Sequence, residues 1–217
     1  MIKAILFDLD GTLIDTNELI IQSFEYTFRK LFNKEISRKE LVKSFGEPLR
    51  DTMSKYNKDR ADLMVTTFRS FNETNHDRIV KRFEGVEDGI KTLKNSGIKL
   101  AVVTSKREKM AKHGLELIGI YDYMDVIVTP ESTKKHKPDG EPALKACELL
   151  KISPQEAIMV GDSHNDILCG KNAGCYTCAV KYTALSLEEI MNYRPDYTID
   201  KIEELAEICR EFQEKAV

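Results

Sequence analysis

Apolar positions follow two different regimes along the chain. Residues 3–9 form a short, nearly unbroken apolar run with Asp8 at its end, the pattern of a strand buried on both faces. From Asn17 to about Lys81 the repeat is helical instead. Ile20, Phe24, Phe28 and Leu31 recur at helical spacing. Ser37 and Glu40 have capping-box spacing ahead of Leu41, Val42 and Phe45. Pro48 can open a short helix after the turn at Gly46, and Ala61, Met64, Phe68, Phe71 and Asn75 mark one long helix. Nothing in residues 17–81 reads as a strand.

Alternation resumes at Phe83. Val86, Ile90 and Leu93 predict a helix that stops near Gly97. The pattern then predicts a strand over 98–103, a helix over 106–117 and a short strand over 126–129. A helix over 140–150, a strand over 157–160 and a helix over 163–173 follow. Strands over 175–180 and 196–199 and a closing helix over 202–212 complete the chain. Repeated strand–helix units predict an α/β fold with a parallel sheet covered on both faces. The helical block falls between the first strand and the rest. Residues 1–15 and 83–217 are therefore expected to form the core and residues 16–82 an inserted all-helical cap, marginal alone at that size. There are no internal repeats and no low-complexity linker.

Composition narrows the picture without naming a reaction. At 217 residues, 41% hydrophobic and 32% charged, the chain can bury a core without disulfide staples. A net charge of −3 argues against a nucleic-acid binder resting on phosphate neutralisation, and against an anionic membrane surface. No apolar run reaches the roughly 18 residues of a membrane helix, and acids stand where a signal peptide would be apolar. Five cysteines, all in the last third, suit a reducing cytoplasm.

Ligands of open parallel sheets bind beyond the carboxyl ends of the strands. The first strand ends in Asp8-Leu9-Asp10-Gly11-Thr12, a second in Thr104-Ser105-Lys106, and a third in Gly161-Asp162-Ser163-His164-Asn165-Asp166, preceded by a loop with Lys137-Pro138. A lone strand-end Asp is commonly a helix cap. If the three strands are neighbours, four carboxylates meet with a hydroxyl and a lysine. Each like-charged pair at about 4 Å costs about 4 kcal/mol at an effective dielectric near 20, so the cluster needs a cation or protons. Hard oxygen ligands suit Mg²⁺. Alternate residues of an extended segment point the same way, so Asp8 and Asp10 can share the site.

Asp8-Leu9-Asp10-Gly11-Thr12-Leu13, Thr104, Lys137 and Gly161-Asp162-x-x-x-Asp166 resemble, in order, the four motifs of the haloacid dehalogenase (HAD) superfamily. The resemblance spans nearly the whole chain. It implies a Rossmann-like parallel core, and the insert resembles the superfamily's C1-type cap. Residues 12–20, Phe71-Asn72, His76-Asp77 and 159–162 are similar to the phosphoglycolate phosphatase and inorganic pyrophosphatase branches. The resemblance implies a small-molecule phosphate substrate, handled by a monomer or dimer. Asp8 would be the nucleophile, forming an aspartyl-phosphate, and Asp10 the general acid and base. Asp8, the Asp10 backbone carbonyl and Asp162 would hold Mg²⁺, with Asp166 acting through water or from behind. Thr104, the Ser105 backbone N–H and Lys137 would bind the phosphoryl oxygens. The dehalogenase branch lacks the second Asp of the first motif; Asp10 is present here, which favours phosphate chemistry.

Specificity would come from the cap, where Arg50 in Gly46-Glu47-Pro48-Leu49-Arg50 could hold a second substrate anion or be a plain surface residue. A beta-phosphoglucomutase-type phosphotransferase and an inactive binding protein on the same fold are the alternatives. Cys175-x-x-Cys178 has no second pair, and residues at i and i+3 face opposite sides of a strand, so core packing explains it better than metal or redox chemistry. His164 either looks into the site or faces solvent. His76, His113 and His136 lack ligand spacing, and Gly161-Asp162-Ser163 does not continue as a dinucleotide fingerprint.

Overall fold

The computed structural model describes residues 1–214. The chain forms two compact units, Met1–Ile14 with the chain from Arg82 onward, and Asp15–Lys81. Strand β1 (Ala4–Phe7) opens the first unit, and the two-residue β2 (Ile14–Asp15) leads out of it.

The second unit is helical: α1 (Asn17–Phe32), α2 (Arg38–Val42), α3 (Leu49–Tyr56) and α4 (Ala61–Ile79). Ser37 caps α2 by accepting from the Glu40 N–H, and Pro48 stands at the cap position of α3. Aromatic packing holds the unit. Phe24 meets Phe68 edge-on at 4.9 Å, and Phe28 meets Tyr56 edge-on at 4.7 Å. The buried stripe of α1 is Leu19, Ile21, Phe24 and Phe28; Ile20 and Leu31 are only partly covered.

The chain returns through β3 (Lys81–Arg82), which pairs with β2. The core then runs α5 (Val86–Asn95), β4 (Lys99–Val103), α6 (Glu108–Leu117), β5 (Val126–Val128), α7 (Glu141–Leu150), β6 (Ala157–Gly161) and α8 (His164–Ala173). It closes with β7 (Tyr176–Val180), α9 (Leu187–Met191), β8 (Tyr197–Ile199) and α10 (Leu205–Glu214). Six strands form one sheet in the order β5-β4-β1-β6-β7-β8, and every adjacent pair is parallel.

Strand β1 lies at the centre, and its four side chains are fully buried. That double burial explains a continuous apolar run in place of alternation. Each large side chain removed from water there contributes roughly 1.5–3 kcal/mol. On either side of β1 lie β4 and β6, so the three strand ends carrying the candidate residues are immediate neighbours.

Some boundaries differ from the sequence expectation. β1 is shorter than residues 3–9 because the chain turns after Asp8, whose N–H still bonds to the Val160 carbonyl at 2.8 Å. The closing segment is a single turn over Ile202–Glu204 followed by α10. The helical reading of 17–81 meets β3 at its edge, and β2 precedes it. Two-residue strands carry no periodicity, and both residues of β3 are exposed.

Candidate active site

Three buried carboxylates and one buried ammonium meet beyond the ends of β1, β4 and β6. Lys137 Nζ lies 2.6 Å from Asp8 Oδ1 and 2.6 Å from Asp166 Oδ1, and donates to the Val103 carbonyl at 3.1 Å. These acceptors match the three N–H bonds of an ammonium, so a lysine only 6% exposed is fully satisfied. The second oxygen of Asp166 accepts from the Ser163 N–H at 3.0 Å and from Ser163 Oγ at 2.6 Å. That pairing caps the start of α8.

Asp162 completes the group: ligand atoms of Asp8, Asp162 and Asp166 all lie within 4.8 Å of one another. Two glycines make the crowding possible. Gly11 turns at φ +83°, and a Cβ there would stand 2.3 Å from Asp162 Oδ2; a Cβ on Gly161 would stand 2.2 Å from the Asp166 Cβ. We expect Gly11→Ala to cost about 1–3 kcal/mol, combining a strained φ with displacement of Asp162. Urea denaturation measures this, and an unchanged midpoint would show that neither the φ at residue 11 nor the contact with Asp162 resists a side chain.

Asp10 is oriented differently from Asp8. Its Oδ1 accepts from Lys106 Nζ at 2.7 Å, while the Lys106 backbone N–H donates to Thr104 Oγ1 at 3.0 Å. The sequence expectation of four carboxylates in one cluster thus becomes three around Lys137, with Asp10 beside them on Lys106. Asp10 lies past the strand, in a β-bridge with Ile14 where Gly11 N–H donates to Ile14 O at 2.8 Å. Thr104 is buried and Ser105 exposed at the end of β4. Arg50, in the helical unit, gives its guanidinium to Asp62 at 2.9 Å, and both side chains are exposed. His164 stacks on Tyr193 at 5.3 Å. Cys175 and Cys178 are buried free thiols, as are the other three cysteines.

The sequence places Lys106 and Ser163 in strand-end segments without a role for either, and does not point to Tyr182 or Thr183. Ser163 stands three residues before Asp166, a capping-box spacing that could have identified it. Lys106 follows Thr104 in chain order but carries no motif. Tyr182 and Thr183 lie beyond β7, and no local pattern points to them.

The sequence profile of the haloacid dehalogenase-like hydrolase family matches residues 5–180, a span that contains every core residue of this site. The chain belongs to that family. A PpaX protein of Clostridium perfringens is 51% identical over 96% of this chain and 97% of its own length. The pyrophosphatase PpaX of Bacillus cereus is 41% identical over 95% and 96%. A solved Clostridium acetobutylicum structure, described as a predicted phosphatase, superposes with a TM-score of 0.86 at 29% identity, covering 97% of this chain and 99% of its own. With these relatives, the chain is a phosphatase of the haloacid dehalogenase-like family. Among the described residues, no helix is long and apolar enough to cross a membrane.

The donor set fits the divalent ion used generally in this family. Three ionised carboxylates less one ammonium leave two negative charges in a buried, all-oxygen group, the complement of a hard dication. Without a cation, burial disfavours the charged forms of Asp8 and Asp162. Burial pushes the Asp8 carboxyl from the ordinary 3.8 up to about 7, with Asp166 and Asp10 adding to the rise and Lys137 opposing it. Burial, then Asp166 and Asp8, likewise push Asp162 well above the usual carboxylate range.

The linkage has a definite sign. The folded state binds protons on these carboxyls more tightly than the unfolded chain, so metal-free stability falls as pH rises from about 4 through about 7. A divalent ion must displace the same protons. Mg²⁺ is therefore expected to raise the melting temperature more at pH 8 than at pH 5.5. Scanning calorimetry with Mg²⁺ and with EDTA at both pH values checks this, and a larger gain at pH 5.5 would contradict it.

Proposed function

We propose that this phosphatase is a Mg²⁺-dependent hydrolase of small, doubly anionic phosphates, pyrophosphate first and phosphoglycolate second, working through an aspartyl-phosphate on Asp8. The observation that carries the reading is the Lys137 ammonium between Asp8 and Asp166, with Asp162 in the same buried group. The pyrophosphatase name of the relatives supports the choice of first substrate. The five buried free thiols support a reducing, cytoplasmic setting.

Each side chain has a task in this scheme. Lys137 holds Asp8 Oδ1 and so orients the carboxylate that attacks phosphorus. As the new P–O bond forms, the bond to the leaving oxygen breaks and its electron pair departs with that oxygen. Asp10 gives this oxygen a proton. It then takes a proton from the water that attacks the acyl-phosphate, so that the Asp8 carboxylate and inorganic phosphate are both released. Lys106 steadies Asp10 for both transfers. Thr104 and the Ser105 backbone N–H bind the phosphoryl oxygens, and Lys137 joins them by turning one N–H from its present acceptors to the substrate. Asp8, the Asp10 backbone carbonyl and Asp162 would hold Mg²⁺. The engagement of both Asp166 oxygens by Lys137 and Ser163 supports a place for Asp166 behind those ligands. When bound, the ion supplies positive charge against the oxygens of the transferring group.

A phosphate-release assay over pyrophosphate, phosphoglycolate, hexose phosphates and p-nitrophenyl phosphate tests the reading. Pyrophosphate should give the highest kcat/KM with Mg²⁺, and EDTA should silence every substrate. Full activity in EDTA would remove the metal, and interconversion of hexose 1- and 6-phosphates would turn the hydrolase into a mutase. Arg50 is the cap residue proposed to read the second anion, in exchange for Asp62. Arg50→Ala should raise KM for pyrophosphate a few-fold and leave KM for p-nitrophenyl phosphate unchanged. Equal changes for both would exclude that role.

A further inference from the structure

We propose that Thr183, on the loop after β7, is a positioning residue of the acidic group: its hydroxyl sets the orientation of Asp162 and thereby the affinity of the site for a divalent cation. The inference rests on the metal reading above and assigns a new residue to it. Thr183 Oγ1 donates to the Asp162 main-chain oxygen at 2.8 Å and lies 3.4 Å from Asp162 Oδ2. It accepts in turn from the Leu185 N–H at 2.9 Å. A hydroxyl has one hydrogen, so the short bond to the main chain is the stronger tie and the carboxylate contact the weaker. One side chain therefore reaches both the backbone and the carboxylate of Asp162.

Gly11 closes on the same carboxylate oxygen, Asp162 Oδ2, leaving no room for a Cβ. The same loop is anchored one residue earlier. Tyr182 donates its hydroxyl to the Thr12 carbonyl at 2.8 Å, and its ring packs against Phe83 at 4.6 Å. Residues 182 and 183 thus join two segments distant in sequence, Thr12 through Tyr182 and Asp162 through Thr183, and Gly11 beside Thr12 also stands against the Asp162 carboxylate. A hydroxyl behind a metal-binding carboxylate holds it in the orientation that binding requires, and loss of such partners typically weakens metal affinity by about 10–100-fold.

Mn²⁺ is the probe, because it accepts carboxylate and water ligands and is read directly by electron paramagnetic resonance. EDTA-stripped wild type, Thr183→Val and Thr183→Ser are each titrated with Mn²⁺ at pH 7.5, with circular dichroism and melting to confirm folding. Thr183→Val should bind Mn²⁺ about tenfold more weakly, and Thr183→Ser within about twofold of wild type, since serine restores the hydroxyl. Should Thr183→Val fail to fold, Thr183→Ala removes the same hydroxyl and carries the same expectation. Equal Mn²⁺ affinity in wild type and the hydroxyl-free variant overturns the role of Thr183 alone. No Mn²⁺ binding by the wild type overturns the metal reading, and this inference with it.

Discussion

Asp8→Asn should fold like the wild type and release no phosphate above background, a loss of at least about 10⁴ in kcat. An amide cannot become an acyl-phosphate, and no neighbouring group can replace it. Asp162 and Asp166 share the cluster, but Asp166 has one oxygen on Lys137 and the other on Ser163. The replacement keeps the size of the side chain, and its oxygen can still accept from Lys137, so the fold is spared. Single-turnover assays with acid quench separate the two readings of a dead variant. Wild type should trap labelled phosphate on protein, and Asp8→Asn should trap none. Steady-state hydrolysis by purified Asp8→Asn, above contaminant level, would remove Asp8 from the nucleophile's role.

Lys137→Met is expected to have the largest effect on stability. It leaves Asp8 and Asp166 buried without their shared counter-charge, and the Val103 carbonyl without its donor. Removing one partner of a buried ion pair typically costs about 3–5 kcal/mol. Burial works against the Lys137 charge, yet Asp166 and Asp8 outweigh it and push the ammonium further into its charged form. The wild-type lysine is therefore charged throughout the working pH range, and the deficit in the variant depends on the acids alone. It should be greatest near pH 8, where Asp8 is ionised, and should shrink near pH 5, where Asp8 takes up a proton. Mg²⁺ should recover part of it by supplying charge to the same acids. Urea unfolding at both pH values, with and without Mg²⁺, measures each part. A deficit unchanged by pH would mean that packing, not charge, accounts for Lys137.

The sequence by itself determined the α/β class, the helical block and the strand ends at which the acidic residues stand. The physical reason is that these properties are local. A strand buried on both faces must be a continuous apolar run, as in β1, and a helix with one buried face repeats at helical spacing, as in α4. The residues following β1, β4 and β6 are then readable as rim residues before any coordinates exist. Lys137 was legible through the Pro138 that follows it and its place among the family's motifs, since the basic run around it has no other pattern.

Only the tertiary structure decided which side chains pair. Lys137 meets Asp8 across 129 positions, Lys106 meets Asp10 across 96, and Tyr182 meets Thr12 across 170. No periodicity spans such separations, because the strand order β4-β1-β6-β7 is set by how the whole sheet buries its faces. For the same reason Asp8 and Asp10 could take different partners. Local spacing placed both acids on one segment, but it could not show that one carboxylate meets Lys137 and the other Lys106. Thr183 is the extreme case: an ordinary residue in a loop, made relevant only because parallel β7 ends beside β6 and brings it against Asp162.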